Sequence, residues 1–582
     1  MSVDVLAALD PEQREVALAT RGPVCVLAGA GTGKTRAITH RIAYAVHTGV
    51  VDPAHVLALT FTTRAAGELR GRLGQLGGPG LGLGRVRART FHSAALRQLG
   101  YFWPGTVGGR PPRVLAAKTS LIAEAARAHR ITLGGSELPD LAGEIEWAKV
   151  TQIKPEEYEQ QAGKAGRTPP LGTGVVGQLY AGYERLRRSR HLIDFESLLE
   201  LTAGVLTENQ LAAAEVRDQY RYLVVDEYQD VNPLQKLLLD VWLGDRDELC
   251  VVGDPDQAIY SFTGASPAYL TGFAAEFPAA VVIRLIRDYR STPQVVALAN
   301  RVIAAPLPGL PGRPVARWAA SLVAQRPPGP EPSVTGYPDE QAEAEAVAAQ
   351  AGSLIAAGTD PRQIAVLVRI NAQTQGFERA LQEAGVPFQL AGMERFFARA
   401  EVRQAMNSVR GTTRTVPSEA SLPAQARHIL SSLGLTASAP LNGGAARGRW
   451  ESLAALAALA DDLALARPDA TLADFAAELA ARAAAEDPPA APGVTLATLH
   501  GAKGLEWDVV FLPGLTEGVL PIVYAQTSEA IAEERRLFYV GVTRARERLA
   551  LSWAAARSPG APPSRAPSRF LQAAEKGVVA AS

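Results

Sequence analysis

The chain contains a loop whose residue types and spacing are those of a phosphate-binding loop. Residues 28–35 read Ala-Gly-Ala-Gly-Thr-Gly-Lys-Thr and lie between the apolar run Val24 to Leu27 and a helical pattern from Arg36 to Val46. Small residues let backbone N–H groups converge on phosphates, and the helix N-terminus adds a favourable dipole. In this setting Lys34 would reach the β- and γ-phosphates, and the Thr35 hydroxyl would coordinate Mg²⁺. A chance match is the alternative, and the flanking strand and helix argue against it. The predicted phosphate-binding residues are Ala28, Gly29, Ala30, Gly31, Thr32, Gly33, Lys34 and Thr35.

Polar residues follow two further apolar runs. Asp226 and Glu227 come after Tyr222 to Val225, and Gln257 comes shortly after Leu249 to Gly253. An open parallel sheet places its ligand site at the carboxyl ends of its strands. Asp226 would hold Mg²⁺ through water, and Glu227 would orient and deprotonate the attacking water. An acidic pair after a strand is usually a solvated turn, and the upstream phosphate loop favours the catalytic interpretation. Gln257 is either a γ-phosphate sensor or an ordinary loop residue, and spacing alone leaves both open.

Two arginines and five aromatic residues are further candidates. Arg290 and Arg544 lie in the second half of the chain and would act as arginine fingers if they face the nucleotide, although a single arginine is more often a surface salt-bridge former. Each aromatic residue lies at a predicted strand end or in a loop, beside polar residues. Exposed rings there stack on single-stranded bases, whereas a single such ring more often belongs to a core. The five are Phe61, Phe195, Tyr260, Phe262 and Phe570.

Composition limits the class of protein. The 582 residues leave room for about three or four domains. Net charge is zero, so any nucleic-acid binding needs a local groove rather than a basic surface. The apolar runs are too short for a membrane span, and the N-terminus lacks the basic start of a signal peptide, so we expect a cytoplasmic protein. Cys25 and Cys250 both fall in predicted buried strands and are expected to be core residues.

The alternation of strands and helices predicts two α/β domains, each with a helical insertion. A helix begins near Leu9, with Asp10 as N-cap and Pro11 in its first position. The first domain is predicted to comprise 1–100 and 191–280, with an insertion at 101–190. The second comprises 281–401 and 493–582, with a shorter insertion at 402–492, and a proline-rich linker covers 303–334. Its sheet is predicted to contain Val281 to Leu285, Ile364 to Val368, Val494 to Thr498, Val509 to Leu512 and Arg548 to Trp553.

These motifs occur in an order that resembles the UvrD/Rep/PcrA group of superfamily 1 (SF1A) DNA helicases. The resemblance covers nearly all of that family's motifs, and such an ordered set is highly specific. The matching segments are Leu9 to Gln13, Ala28 to Arg36, Thr60 to Ala66, Thr90 to Ser93, Asp194-Phe195, Asp226 to Asp230, Val252 to Ala265, Asp288 to Ser291, Arg369 to Asn371, Thr498 to Glu506, Glu533 to Ala545 and Pro567 to Leu571.

The resemblance implies two RecA-like P-loop domains and a role for each matching residue. Arg36 would belong to the nucleotide site, Gln13 would read the adenine edge, Tyr289 would stack on adenine and Glu506 would contact the ribose. Gln257 would couple the γ-phosphate to the DNA groove. Family members move 3′ to 5′ by closing and opening the cleft between the two domains once per ATP. The residues that would line the single-strand track are Phe61, Arg64, His92, Phe195, Tyr260, Phe262, Arg369, His500, Lys503 and Phe570.

The chain departs from the family pattern at three places. Phe262 stands where an indole is common and Thr263 where arginine is usual, so one DNA or coupling contact differs. Asp288 replaces the usual asparagine, and the second insertion is short.

The sequence therefore predicts an ATP- and Mg²⁺-dependent 3′–5′ DNA helicase or translocase of DNA repair or replication. We expect it to act in the nucleoid on single-stranded and 3′-tailed duplex DNA, as a monomer in isolation, with repair proteins as partners. One alternative is a DNA-stimulated ATPase that strips proteins from single strands but unwinds poorly alone. Another is a P-loop kinase or other NTPase without a nucleic-acid track.

Overall fold

The computed structural model describes residues 5–77, 81–115, 117–134, 137–305, 321–390, 397, 400–412, 420–436, 445–485 and 493–575. The chain divides into two compact units. The first consists mainly of Met1–Gly29 and Gly33–Ile286, and the second mainly of Arg287–Arg317 and Ser321–Ser582, with the loop residues Ala30–Thr32 grouped with the second. Each unit contains a six-stranded parallel sheet and a block of helices, which confirms the predicted fold class.

The elements of the first unit alternate between strands and helices. In chain order they are α1 (Pro11–Leu18), β1 (Val24–Ala28), α2 (Lys34–His47), β2 (Val56–Thr60), α3 (Thr63–Gly77), β3 (Arg87–Thr90), α4 (Phe91–Thr106), β4 (Arg113–Val114), α5 (Thr119–Ala128), α6 (Glu137–Val150), α7 (Tyr158–Lys164), α8 (Thr173–Ser189), β5 (Leu192–Ile193), α9 (Phe195–Glu208), α10 (Gln210–Gln219), β6 (Tyr222–Val225), α11 (Pro233–Leu243), β7 (Leu249–Gly253), α12 (Ala268–Thr271), α13 (Phe273–Glu276) and β8 (Val281–Leu285).

The first sheet has the strand order β3-β2-β6-β7-β1-β8. Strands β1, β2, β6 and β7 are fully buried, as expected for inner strands of a parallel sheet with both faces covered. Cys25 and Cys250 are buried in β1 and β7, which confirms their predicted core position. The prediction that Val281–Leu285 opens the second sheet is wrong, because β8 pairs in parallel with β1 at the edge of the first sheet.

Helix α1 begins as predicted. The Asp10 side chain accepts a hydrogen bond from the Gln13 backbone N–H at 2.8 Å, and Pro11 occupies the first helical position. This cap fixes the start of the helix that carries Gln13, whose side chain is buried.

Helices α5 to α8 form the first helical block. Strands β4 and β5 pair at its base through Arg113 with Leu192 and Val114 with Ile193. Inside the block, Lys149 Nζ lies 2.6 Å from Glu184 Oε1 and 2.9 Å from Asp194 Oδ2. Because Asp194 caps α9, this buried ion pair joins the helical block to the helix that begins with Phe195.

The second unit follows the same alternation. Its elements are β9 (Arg287–Asp288), α14 (Pro293–Ala304), β10 (Val323–Ala324), β11 (Ser333–Asp339), α15 (Glu340–Ala356), β12 (Ile364–Val368), α16 (Thr374–Glu383), β13 (Phe388–Leu390), α17 (Ala400–Thr412), α18 (Leu422–Ser431), α19 (Ala445–Ala466), α20 (Leu472–Ala485), β14 (Val494–Thr498), β15 (Trp507–Leu512), α21 (Ser528–Val542), β16 (Ala545–Ala556) and α22 (Gln572–Glu575).

The second sheet has the order β11-β16-β15-β12-β14-β13, with all pairs parallel. The sequence predicted the inner strands but missed β11 and β13 at the two edges. Strand β11 contains glycine and proline and is largely exposed, so it lacks the apolar run that marks an inner strand. Part of the predicted linker, 306–320, lies outside the described residues.

Helices α17 to α20 bury their own apolar core, in which Leu453 and Phe475 are inaccessible to solvent. Among the described residues, none of the helices combines the length and the apolar character needed to span a membrane.

Candidate nucleotide site and nucleic-acid interface

The phosphate loop and the acidic residues lie at the same edge of the first sheet. Strands β6, β7 and β1 are neighbours, with Val225 opposite Val251 and Leu27 opposite Gly253. Because all three run in parallel, the residues that follow them gather at their carboxyl ends. Lys34, Asp226 and Asp254 therefore share one edge although the sequence separates them widely.

Two glycines of the phosphate loop are required by its geometry. Gly31 and Gly33 have φ values of 70° and 78°, in the left-handed region. A Cβ at Gly33 would lie 2.7 Å from Gln13 Nε2, so the predicted adenine-reading glutamine lies against the loop. The Tyr289 backbone N–H donates to the Gly31 carbonyl at 2.9 Å, and the Tyr289 ring is exposed. Within the first unit Gln13 thus lies beside Gly33, and within the second unit Tyr289 is bonded to Gly31.

Helix α2 starts at the loop with Gly33 as its N-cap. Glycine has no side chain with which to cap the first N–H groups, which leaves them suited to an anion. Lys34 and Thr35 occupy the first turn, and Arg36 follows with its side chain exposed. Ala28 is the last residue of β1 and is buried. Its small side chain suits the first position of the predicted phosphate-binding loop.

Three carboxylates interact electrostatically with the Lys34 ammonium. Lys34 Nζ lies 3.6 Å from Glu227 Oε1. Burial, followed by the Glu227 carboxylate, raises the pKa of Asp226 to about 7, and Lys34 opposes this shift. Burial likewise raises the pKa of Asp254, again against Lys34. The excess of negative charge in a buried site fits a divalent cation.

The residues present therefore fit Mg²⁺ held by Asp226 and Thr35 together with nucleotide oxygens and water. Within the described residues, no group of three or more His, Cys, Asp or Glu side chains could enclose a metal ion. Mg²⁺ usually keeps several waters and binds one or two protein ligands plus phosphates, so a protein-only cage is not needed.

Gln229 connects the acidic residues and was missed by the sequence analysis. Its Nε2 donates to Glu227 Oε2 at 2.5 Å, and its Oε1 accepts from the Asp254 backbone N–H at 3.0 Å. Gln257 Nε2 in turn donates to Asp254 Oδ2 at 2.7 Å. The bonds form a chain from Glu227 through Gln229 and Asp254 to Gln257. Its sequence signal is its place in the matching segment Asp226 to Asp230, two positions after Glu227.

Glu227 itself has a strained backbone, with φ 53° and ψ 41° in the left-handed region. A non-glycine residue rarely adopts this conformation, and such strain concentrates at functional sites. The Asp226 carboxylate accepts from the Glu227 N–H at 2.9 Å, which helps to fix the turn.

In the second unit, Asp288 organises the turn that carries Tyr289 and Arg290. Its Oδ1 accepts from the backbone N–H groups of Arg290 at 2.7 Å and Ser291 at 2.8 Å. An aspartate can make both bonds with one carboxylate oxygen, so the departure from asparagine preserves the turn.

Arg290 forms an ion pair with Glu506, the predicted ribose contact, and its Nη1 donates to the Thr543 carbonyl at 3.2 Å. Arg546 Nη2 also donates to Glu506, at 2.8 Å. Although burial opposes them, the two arginines lower the pKa of Glu506. Arg546 is a second residue that sequence reasoning passed over, although it stands two positions after Arg544.

Arg544 is 1% exposed. Its Nε donates to the Val540 carbonyl and its Nη1 to the Leu505 carbonyl, each at 2.9 Å. It therefore ties the end of α21 to the segment before β15. The alternative of a surface salt-bridge arginine does not hold for Arg544, and its role as a finger stays a prediction.

Two candidate nucleic-acid residues lie beyond the ends of β2 and β3, at the same edge as the phosphate loop. Phe61 follows β2 and is half-buried, with its ring 6.1 Å from Phe91. His92 lies 5.5 Å from the Phe195 ring in an edge-on arrangement. Burial, and next Lys118, lowers the pKa of His92 to about 4, so His92 is neutral at pH 7.

The remaining candidates of the first unit present accessible groups. Phe195 is 44% exposed and Phe262 is 53% exposed. Tyr260 is half-buried, 6.2 Å from the Phe262 ring, and Arg64 is exposed on α3. The first unit thus brings its candidate stacking rings to strand ends and to one loop.

The predicted DNA-binding residues of the second unit are less accessible than those of the first unit. Arg369 is bound by Glu534 through Nη2–Oε1 at 2.7 Å and Nε–Oε2 at 3.0 Å. Burial, then Arg369 and Lys503, lowers the pKa of His500 to about 4. Phe570 is a correction. We placed its ring on the single-strand track, but Phe570 is 6% exposed and its ring lies nearly parallel to the Phe538 ring, with the centroids 6.1 Å apart.

Comparisons with known proteins match helicase domains over most of the chain. Residues 9–278 match the UvrD/REP helicase N-terminal domain, and residues 283–422 and 424–556 match the UvrD-like helicase C-terminal domain. The chain is 52% identical over 577 residues to the ATP-dependent DNA helicase UvrD2 of Mycobacterium tuberculosis strain H37Rv, covering 97% of this chain and 81% of that protein. It is 29% identical over 642 residues to the ATP-dependent DNA helicase PcrA of Bacillus subtilis strain 168, covering 96% and 84%. Against PcrA of Staphylococcus aureus strain MRSA252 the identity is 27% over 644 residues, covering 97% and 86%.

Proposed function

This chain belongs to the UvrD/REP helicase family, and from that premise we propose that it is an ATP-dependent DNA helicase that moves 3′ to 5′ along single-stranded DNA. Its substrates are single-stranded and 3′-tailed duplex DNA. It acts in the cytoplasm, at the nucleoid, during DNA repair or replication. One observation supports this most. The carboxyl edge of the first sheet brings a phosphate site after β1, β6 and β7 next to aromatic residues after β2 and β3.

The residues of the first unit supply the chemistry of ATP hydrolysis. Lys34 and the N-terminus of α2 bind the phosphates, and Glu227 accepts a proton from the attacking water. Gln229 holds the Glu227 carboxylate in place. Thr35 and Asp226 would hold Mg²⁺ together with the nucleotide, and the ion would neutralise phosphate charge.

Further residues complete the proposed nucleotide site. Gln13 and Tyr289 contact the adenine, and Glu506 contacts the ribose. Arg290 and Arg544 stabilise the charge that develops on the phosphates in the transition state. Since Glu506 binds Arg290 in this structure, we propose that the nucleotide ribose competes for Glu506 and releases Arg290 for that task.

Single-stranded DNA binds by stacking on aromatic rings, chiefly Phe195, Tyr260 and Phe262, with Phe61 and His92 alongside. Base stacking on aromatic side chains tolerates any sequence and needs little net charge, which suits a chain whose formal net charge is zero. Arg64, Arg369, His500 and Lys503 complete the proposed track, whereas the buried Phe570 supports it from the core.

The test combines ATP turnover with strand separation. ATP hydrolysis is measured with and without single-stranded DNA, and unwinding is compared on duplexes with a 3′ or a 5′ tail. We expect strong stimulation by DNA, unwinding of the 3′-tailed duplex only, and loss of more than about 10²-fold in kcat for Lys34→Ala.

The outcomes separate the alternatives. ATP turnover that ignores DNA would contradict the proposal and favour an NTPase without a nucleic-acid track. DNA-stimulated turnover without unwinding would favour the translocase that strips proteins. Glu227→Gln separates catalysis from folding, because it should bind ATP and DNA normally while hydrolysis is lost.

A further inference from the structure

The loop that carries Phe262 is attached to the first helical block. Residues 260–264, the 260–264 loop, read Tyr-Ser-Phe-Thr-Gly and contain no charged side chain. Arg167, in the segment between α7 and α8, donates from Nη1 to the Phe262 carbonyl at 3.3 Å. The donor and acceptor are 95 residues apart in the sequence. This bond leaves the Phe262 ring exposed while it fixes the backbone that bears the ring.

Arg167 is itself held firmly. Its Nε and Nη2 donate to the two oxygens of Glu144 on α6, with shortest distances of 2.9 and 2.7 Å. Its guanidinium carbon lies 4.4 Å above the ring of Trp147, one turn further along the same helix. The Tyr158 hydroxyl donates to Glu144 Oε2 at 2.6 Å. We name these four residues, Glu144, Trp147, Tyr158 and Arg167, the Arg167 cluster.

The 260–264 loop also packs directly on α6. Gly264 has φ 93°, and a Cβ there would lie 2.7 Å from Val150 Cγ2. The Thr263 hydroxyl is turned inward and donates to the Tyr260 carbonyl at 2.8 Å. The loop therefore depends on α6 and on Arg167 for its position.

The same segment reaches the phosphate site. Gln257, which donates to Asp254 Oδ2, precedes Tyr260 by three residues, and the intervening Ala258 and Ile259 are buried. A displacement of the 260–264 loop would therefore be transmitted over a short, packed stretch of backbone. The helical block thus has a physical connection to the proposed γ-phosphate sensor.

We infer that Arg167 is a positioning residue through which the first helical block holds the 260–264 loop in its DNA-binding conformation. The inference rests on the proposed DNA contact of Phe262. Arginine is required because its planar fork binds Glu144 through two nitrogens and still offers Nη1 to the Phe262 carbonyl. A lysine ammonium would keep the ion pair but could not span both partners.

The test uses the full-length protein with Arg167→Ala and Arg167→Lys. The matched control is Arg190→Ala, which removes an arginine that follows the same helical block and pairs with Glu124. ATP turnover is titrated with single-stranded DNA. We expect the DNA concentration for half-maximal stimulation to rise about 10-fold in both Arg167 variants, with kcat at saturating DNA changed less than about 3-fold. Arg190→Ala should match the wild type.

Hydrogen exchange reports on the loop directly. The amides of residues 258–266 should exchange faster in both Arg167 variants, in the absence of DNA, than in the control. If Arg167→Ala does not fold, Arg167→Lys, which keeps the aliphatic stem and the positive charge, tests whether Arg167 positions the 260–264 loop. Wild-type DNA affinity in Arg167→Lys would contradict the claim that the planar guanidinium of Arg167 is needed to bind Glu144 and the Phe262 carbonyl together.

A double-mutant cycle separates positioning from general stability. Adding Arg167→Ala to Phe262→Ala should raise half-saturation by a smaller factor than Arg167→Ala does in the wild type, because one of the two rings whose position it controls is already gone. Additive effects, or unchanged DNA affinity in Arg167→Ala, would overturn the inference. Absence of DNA stimulation in the wild type would instead contradict the proposed function.

Discussion

Replacing Gln229 by methionine tests whether the chain of hydrogen bonds from Glu227 to Gln257 supports catalysis. Methionine has a similar length and no hydrogen-bonding amide, so the buried site keeps its volume and loses two bonds. One is the 2.5 Å bond to the Glu227 carboxylate, and the other satisfies the Asp254 backbone N–H at 3.0 Å. Gln229 and Asp254 are both buried, so water cannot replace the bond to the Asp254 N–H.

The expected magnitudes follow from those two bonds. A hydrogen bond to a charged group contributes about 1.5–3 kcal/mol, and a buried donor left without its acceptor costs about 1–3 kcal/mol. The free energy of unfolding of the first unit should fall by roughly 2.5–6 kcal/mol. Glu227 would lose the partner that orients it, and a misplacement near 1 Å can cost about 10²-fold in kcat.

The assay pairs turnover with unfolding. ATP hydrolysis with saturating DNA, binding of a fluorescent ATP analogue and urea unfolding are measured on the same preparations. Gln98→Met is the matched control, because Gln98 is buried in the same unit and accepts a 2.7 Å bond from Trp242 Nε1, away from the phosphate site. Both variants should lose stability, and only Gln229→Met should lose turnover while it still binds nucleotide. Wild-type kcat in a folded Gln229→Met protein would refute the reasoning.

Three further predictions address other parts of the molecule. Arg290→Ala should lower DNA-stimulated kcat by about 10²-fold with a smaller effect on ATP binding, and Arg290→Lys should rescue poorly because it lacks the planar fork; normal turnover in both would remove Arg290 from catalysis. Tyr260→Ala should weaken single-strand binding about 10-fold without changing the slope of affinity against salt, whereas unchanged affinity would show that phosphate contacts dominate. Because burial lowers the pKa of His92 to about 4, the unfolded state binds more protons at this residue between that value and about 6.5, so His92 by itself should lower the free energy of unfolding by about 2 kcal/mol from pH 7 to 5. Melting curves at both pH values should show that loss reduced in His92→Gln but not in the exposed His47→Gln, and an equal loss in both would contradict the linkage.

The sequence by itself determined the inner strands and the residues that follow them. Strands β1, β2, β6 and β7 are short apolar runs with polar residues at their carboxyl ends, and the parallel sheet needs nothing more to bring Lys34, Asp226 and Asp254 to one edge. The Asp10 cap was equally predictable, because the bond spans only three residues. Such features depend on local spacing, which the sequence displays directly.

The tertiary structure decided the features that depend on distant partners. An apolar run does not say which sheet it joins, and β8 pairs with β1 because of packing that lies far away in the chain. The links from Gln229 to Asp254 and from Arg167 to Phe262 join residues 25 and 95 positions apart. Phe570 has a polar residue beside it in the sequence, as the exposed candidates do, yet it is buried against Phe538. The burial of a side chain and the pairing of a strand depend on the residues that the fold places against them. Those residues are distant in the sequence, so the local sequence does not identify them.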